Sequence, residues 1–66
     1  MFIRIEEHLI NINEIRNAYI NNLGYGKGCV RIVFRSEYDP IVFTNRKLEE
    51  CEIILSTLTE ACVKNN

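Results

Sequence analysis

Few residues in this chain could carry out bond-making chemistry: one histidine and three cysteines. His8 stands beside Glu6 and Glu7, but a metal site or a catalytic triad needs further ligands or partners at defined spacings. The cysteines, at positions 29, 51 and 62, are odd in number and match no zinc-binding spacing. We therefore expect a solvated turn histidine, free and mostly buried thiols, no metal, no cofactor and no enzymatic activity.

The three thiols differ in their sequence surroundings. Cys29 follows a glycine-rich segment close to Lys27, so it is the thiol that a redox role would use. Cys51 and Cys62 are separated by about 20° around a helix and fall on its apolar side. We expect both of these to act as small core residues.

Arginines and an aromatic residue alternate along the predicted strands and could share one face of a sheet. Guanidinium groups neutralise phosphate, and rings stack on unpaired bases, so this face is the candidate ligand or partner surface. The alternatives are that the arginines pair with glutamates on neighbouring strands, or that the face closes against a second subunit. The candidate residues are Arg4, Tyr19, Arg31, Val33, Arg35 and Thr44.

All three glycines lie between positions 24 and 28, around Tyr25 and Lys27. A phosphate-binding loop places its glycines before the N-terminus of a helix, whereas a strand-like run follows here. The segment therefore predicts a hairpin tip, with Tyr25 and Lys27 available for contact with a partner.

Hydrophobic residues repeat every second position in the first two thirds of the chain and with a helical period in the last third. The order of these runs predicts an α+β fold, a four-stranded antiparallel β-meander with one C-terminal helix packed on one face (ββββα). Asn45 is a suitable N-cap for that helix. The strand-like runs are about 2–5, 9–12, 15–21, 29–35 and 41–44, and the helix is about 46–64.

The helical segment has one apolar stripe, with a single apolar residue, Ile53, on the opposite charged side. The stripe predicts the side of the helix that covers the sheet. Its members are Leu48, Cys51, Leu55, Leu58 and Cys62, with Ile54 and Ala61 on its shoulder.

Length and charge limit the possible classes of protein. Sixty-six residues suit a single small domain, 1–66, with a thin margin of stability. The net charge of -1 disfavours general attraction to nucleic acid, and dividing the chain at Asn45 reveals no charged tail. No apolar run is long enough for a signal peptide or a transmembrane helix, so we expect a cytoplasmic protein without a membrane partner.

The run from His8 to Ile15, HLININEI, precedes two further β-runs and a short acidic helix. This order resembles a recurrent layout among very small bacterial and phage proteins of unassigned function, and the resemblance implies a fold but carries no site. In outline the chain is also similar to the single-stranded-DNA-binding coactivator and PUR-type modules, which work as dimers. It departs from those modules in lacking a basic excess.

Two functional hypotheses follow from the sequence. The first is a non-enzymatic interaction or regulatory module that forms a homo-oligomer and binds a protein partner, because one helix covers only one face of a sheet. The alternative is a binder of single-stranded nucleic acid or of a nucleotide-like anion through the arginine-bearing face.

Overall fold

Five strands and one C-terminal helix make up the computed structural model, which describes residues 1–64. The strands are β1 (Phe2–Ile5), β2 (His8–Asn11), β3 (Ile15–Gly24), β4 (Lys27–Phe34) and β5 (Ile41–Lys47), and the helix is α1 (Leu48–Lys64). A short 3-10 helix, Ile12–Glu14, lies between β2 and β3.

The strands form two antiparallel sheets, one with the order β1-β2 and one with the order β3-β4-β5. The α+β class is confirmed, but the four-stranded meander is wrong. The 3-10 helix explains the difference: Asn11 caps it by accepting a hydrogen bond from the Asn13 backbone N–H (3.1 Å). This turn places the buried Ile12 in the core and separates β2 from β3, so that the two strands do not pair.

The β3-β4 hairpin has a two-residue tip. Tyr25 and Gly26 both have positive φ values, 55° and 73°, as a type I′ turn requires. β4 then alternates between the two sides of the sheet, because successive side chains of a strand point in opposite directions. Val30 and Ile32 are completely buried, and Arg31 between them is exposed.

Helix α1 and the β1-β2 hairpin cover the same side of the three-stranded sheet. A Cβ added to Gly28 would lie 2.8 Å from Leu48 Cδ2 and 3.4 Å from Cys51 Sγ, so the helix approaches β4 closely at this glycine. The His8 ring meets Phe43 of β5 edge-on, with 5.4 Å between ring centroids. We call this covered side the inner face. The core joins residues of all three parts: Ile5, Ile10, Ile12, Val30, Ile32, Phe43, Cys51, Ile54, Leu58 and Ala61.

The helix begins at Leu48, later than the expected boundary at 46. Arg46 and Lys47 instead continue β5, where they pair with Gly28 and Lys27, and Asn45 lies within the strand at a φ of 54°. The covered side of α1 is rotated from the centre of the apolar stripe toward its shoulder, since Ile54 and Ala61 are buried together with Cys51 and Leu58. The other three stripe members are only half-buried: Leu48, Leu55 and Cys62. Ile53 is exposed on the other side, as expected.

Two valines on opposite sides of the sheet test this layering. Val30 is 0% exposed under the helix, and Val42 is 41% exposed on the uncovered side. Val30→Ala removes buried methyl groups and leaves a cavity, so we expect a loss of about 2 kcal/mol in the free energy of unfolding. For a domain of this size that loss lowers the melting temperature by roughly 10 °C.

Val42→Ala is the matched control and should change the melting temperature by only a few degrees, since the residue is far from fully buried. Thermal unfolding followed by circular dichroism measures both variants. Equal shifts would contradict the assignment of inner and uncovered sides.

Candidate functional site

The uncovered side of the three-stranded sheet, which we call the outer face, holds most of the candidate residues. Tyr19 of β3 pairs with Arg31 of β4, and Arg31 pairs with Val42 of β5. Directly paired residues in antiparallel strands point to the same side, so these three side chains form one row across the sheet. Asn17 and Val33 form the next row.

In the other direction along the strands, the outer face continues to two lysines. Lys27 of β4 pairs directly with Lys47 of β5. The neighbouring pair, Gly28 and Arg46, belongs to the inner face, because Gly28 faces the helix and Arg46 lies over the Phe43 ring. Lys27 and Lys47 therefore point outward, together with the Arg31 row.

The structure brings together four of the six predicted surface residues and separates two. Tyr19, Arg31, Val33 and Thr44 share the outer face by strand alternation. Arg4 lies on the β1-β2 hairpin, paired with Leu9, and its Nε donates to the Glu6 carbonyl (3.0 Å).

Arg35 follows the end of β4 and is tied to the start of β3. Its backbone N–H donates to the Glu14 carbonyl (2.7 Å), and its Nε donates to the Ile15 carbonyl (3.3 Å). The guanidinium is thus held at the end of the sheet, beyond the Val33 row.

Charge is segregated between the sheet and the helix. The three strands β3, β4 and β5 contain no aspartate or glutamate, and their basic residues are Arg16, Lys27, Arg31, Arg46 and Lys47. Helix α1, on the other side of the sheet, carries four glutamates and one lysine. The outer face is therefore locally cationic in a chain whose net charge is -1.

One ion pair occurs among residues 1–64, between Arg46 and Glu6. Both guanidinium NH groups donate to the carboxylate, with Arg46 Nη2 at 2.9 Å from Glu6 Oε1. The hydrogen bond from Arg46 lowers the pKa of Glu6, and the charges of Arg46 and His8 add to this effect. Arg31 and Lys27 of the outer face have no carboxylate partner among the described residues.

Tyr25 and Lys27, the predicted loop contacts, lie at and just after the tip of the β3-β4 hairpin. Tyr25 is fully exposed and has a φ of 55°, a region that costs a non-glycine residue about 1–2 kcal/mol. Its ring is therefore presented to solvent on a strained backbone at the lysine end of the outer face.

A groove of about 500 Å³ lies between the β1-β2 hairpin and the end of the three-stranded sheet. Phe2, Leu9 and Tyr38 line it and are all largely exposed. We call it the apolar groove; its other lining residues are Asn11, Glu14, Phe34, Ser36, Asp39 and Ile41. Sequence reasoning missed this site, although Phe2 and Leu9 sit at the outward positions of strands that already bury Ile5 and Ile10.

A second, smaller groove of about 310 Å³ lies between β3 and α1. We call it the edge groove, because β3 has no strand on its other side among residues 1–64. Its helical wall includes Leu55 and Val63, and its strand wall includes Ala18.

The histidine and the cysteines are packed against other residues and are buried or half-buried. His8 is half-buried against Phe43 rather than solvated in a turn. All three cysteines are free; Cys29 and Cys51 are buried and Cys62 is partly so.

Within residues 1–64, no group of His, Cys, Asp or Glu side chains could hold a metal ion. No helix in the same range has both the length and the apolar character needed to cross a membrane.

The Glu6–Arg46 pair predicts a specific dependence of stability on pH. Because the pKa of Glu6 is lowered in the folded chain, the stabilisation from this pair is complete above the ordinary glutamate pKa. It is lost as the pH falls through the lowered pKa of the folded state. Arg46→Gln should return the pKa of Glu6 to its ordinary range, as measured by NMR titration of its carboxyl carbon.

Lys47→Gln is the matched control, since it removes one positive charge from the adjacent residue on the opposite face. It should leave the pKa of Glu6 nearly unchanged. A Glu6 pKa that moves equally in both variants would show that general charge, rather than the hydrogen-bonded pair, controls this carboxylate.

Comparisons of the chain with known proteins find no match. No protein-family model matches the chain, and neither a curated protein nor a solved structure does.

Proposed function

We propose that this chain is a small non-enzymatic interaction module that forms a homodimer and binds a protein partner. The apolar groove is the observation that carries the proposal. Large exposed apolar side chains gathered at one place on a small domain are typical of binding sites. The packing of His8 on Phe43 supports a non-enzymatic role, because the single histidine is used in holding the hairpin to the sheet.

The lining of the apolar groove favours a particular kind of protein segment. Phe2, Leu9 and Tyr38 offer apolar contact area, while Glu14 and Asp39 place carboxylates in the same lining. A short segment with apolar side chains flanked by lysine or arginine would match both features. The partner proposed for this groove is a protein segment of that composition.

The two edge strands of the three-stranded sheet, β3 and β5, differ in how well they could pair with another strand. β5 has a bulge after Phe43, two basic residues at its end and Pro40 just before its start. Bulges, charges and prolines all discourage pairing at a sheet edge. The β1-β2 hairpin also contacts β5, through the packing of His8 on Phe43 and through the Glu6–Arg46 pair.

The β3 edge has few of these features. The strand is ten residues long, and its two register shifts lie near its ends, between Ile15 and Asn17 and between Asn22 and Gly24. Its one charged residue, Arg16, lies at the first of these shifts. From residue 17 to residue 22 it carries only uncharged side chains. A second copy could therefore add its own β3 antiparallel to this edge, which is the self-complementary contact of a two-fold dimer.

Pairing at the β3 edge would also bury the edge groove. The two α1 helices of such a dimer lie on the same side of the joined sheet and approach each other across the dimer axis. Leu55, Cys62 and Val63 of each copy would then be covered. Edge pairing and burial of this groove together support the β3 edge as the dimer contact.

Two helix residues of nearly equal exposure test the dimer. Val63 is 69% exposed beside the edge groove, and Ile53 is 66% exposed on the charged side of α1. Val63→Arg should convert the protein to a monomer in sedimentation velocity at micromolar concentration, since it places a charge in the contact. Ile53→Arg should leave the dimer intact. A monomeric wild type, or equal behaviour of the two variants, would refute this contact.

Leu9 tests the partner site in the same way. It is 69% exposed in the apolar groove, so Leu9→Lys should leave the fold intact but repel the basic residues of the partner segment and remove apolar contact area. Proteins captured from cell extract by the wild type are compared quantitatively with those captured by Leu9→Lys and by the control Ile53→Lys. A partner that binds in the groove is lost with Leu9→Lys alone, whereas equal recovery with all three proteins would exclude the groove.

A further inference from the structure

We propose that the outer face of the three-stranded sheet binds single-stranded nucleic acid. This face is separate from the apolar groove, and it uses side chains of β3 rather than the backbone groups of the β3 edge, so the proposal does not rest on either. Its basis is the arrangement of unpaired cations, a ring and neutral polar side chains on one surface.

The charged residues of the outer face have no counter-ion within residues 1–64. Arg31 is exposed at the centre, and Lys27 and Lys47 stand directly opposite each other toward one end. Like charges in direct cross-strand register repel each other, so the fold itself does not benefit from this pair. A phosphate between the two lysines would relieve the repulsion. Among residues 1–64 the single ion pair lies on the other side of the sheet, and these cations remain free for a ligand.

The row at the centre of the face joins stacking and charge. The ring of Tyr19 is next to Arg31, and Val42 is on the other side of that arginine. An unpaired base can stack on the tyrosine or lie on the valine while the guanidinium contacts an adjoining phosphate. The bases of a duplex are already stacked on one another, so this row favours a single strand.

Neutral polar side chains surround the central row. Asn17 and Asn21 of β3 stand on the same side as Tyr19, and Thr44 of β5 continues from Val42. These amide and hydroxyl groups can donate hydrogen bonds to base edges and accept them. No carboxylate occurs on the three strands to repel the phosphates.

The dimensions also suit a short single strand. From Val33 to Lys27 the face runs six residues along β4, which corresponds to about 20 Å. Its three strands give a width of about 10 Å between the outer two. This area accommodates a few nucleotides in extended form. Because the helix on the opposite side of the sheet is acidic, the electrostatic field of the protein orients the cationic face toward an approaching polyanion.

The test measures binding of a fluorescein-labelled oligothymidylate of about 12 nucleotides by anisotropy over a series of salt concentrations. With about three phosphates neutralised, the logarithm of the association constant should fall against log salt with a slope of about -2. Arg31→Gln and Lys27→Gln should each weaken binding and reduce the slope by about 0.7. Tyr19→Leu should weaken binding at least fivefold with little change in slope, because it removes stacking rather than charge.

Lys64→Gln is the matched control: it removes the same charge from the end of α1, away from the outer face. It should leave affinity and slope close to those of the wild type. The proposal is overturned if the wild type shows no salt-dependent binding, or if Lys64→Gln is as harmful as Arg31→Gln. It is also overturned if polyglutamate or inorganic polyphosphate binds as tightly and Tyr19→Leu has no effect, since recognition would then be of charge alone.

Discussion

Burial of the inner face of the three-stranded sheet fixes where the helix, the first hairpin and the outer-face side chains lie. Val30 and Ile32 are completely buried there, and Phe43 nearly so, beneath both α1 and the β1-β2 hairpin. A chain of 66 residues has material for one such core. Because strand side chains alternate, fixing these three residues inward forces Arg31, Val42 and Thr44 outward. The cationic face is thus a geometric consequence of the core.

The sequence predicts the parts of the fold that depend on local pattern, as the alternation in β4 and the exposed Ile53 of α1 illustrate. It does not predict features set by distant partners. Arg46 and Lys47 are predicted at the start of the helix but extend β5, because they pair with Gly28 and Lys27 of β4. Likewise, nothing in the residues before β3 indicates that the first hairpin forms a sheet of its own; the 3-10 turn decides this.

The local charge of the outer face is also not predictable from the sequence. A division of the chain at Asn45 finds acidic and basic residues in balance on both sides. The folded chain separates them. The glutamates of the first part lie in turns and in the 3-10 helix, whereas the charged residues of strands β3 to β5 are all basic. Arg4 belongs to the other sheet, and Lys47 joins the face through the unforeseen extension of β5. Topology, rather than composition, creates the local charge.

The proposed dimer and the proposed nucleic-acid face are compatible and reinforce each other. Strand pairing at the β3 edge uses backbone groups in the plane of the sheet, so the side chains of the outer face remain exposed. A two-fold axis near the middle of β3 would place Tyr19 of one copy close to Tyr19 of the other. One chain offers a single ring in its central row, whereas sheets that bind unpaired bases commonly use two or three. Dimerisation would supply the second ring and double the number of unpaired cations on one continuous surface.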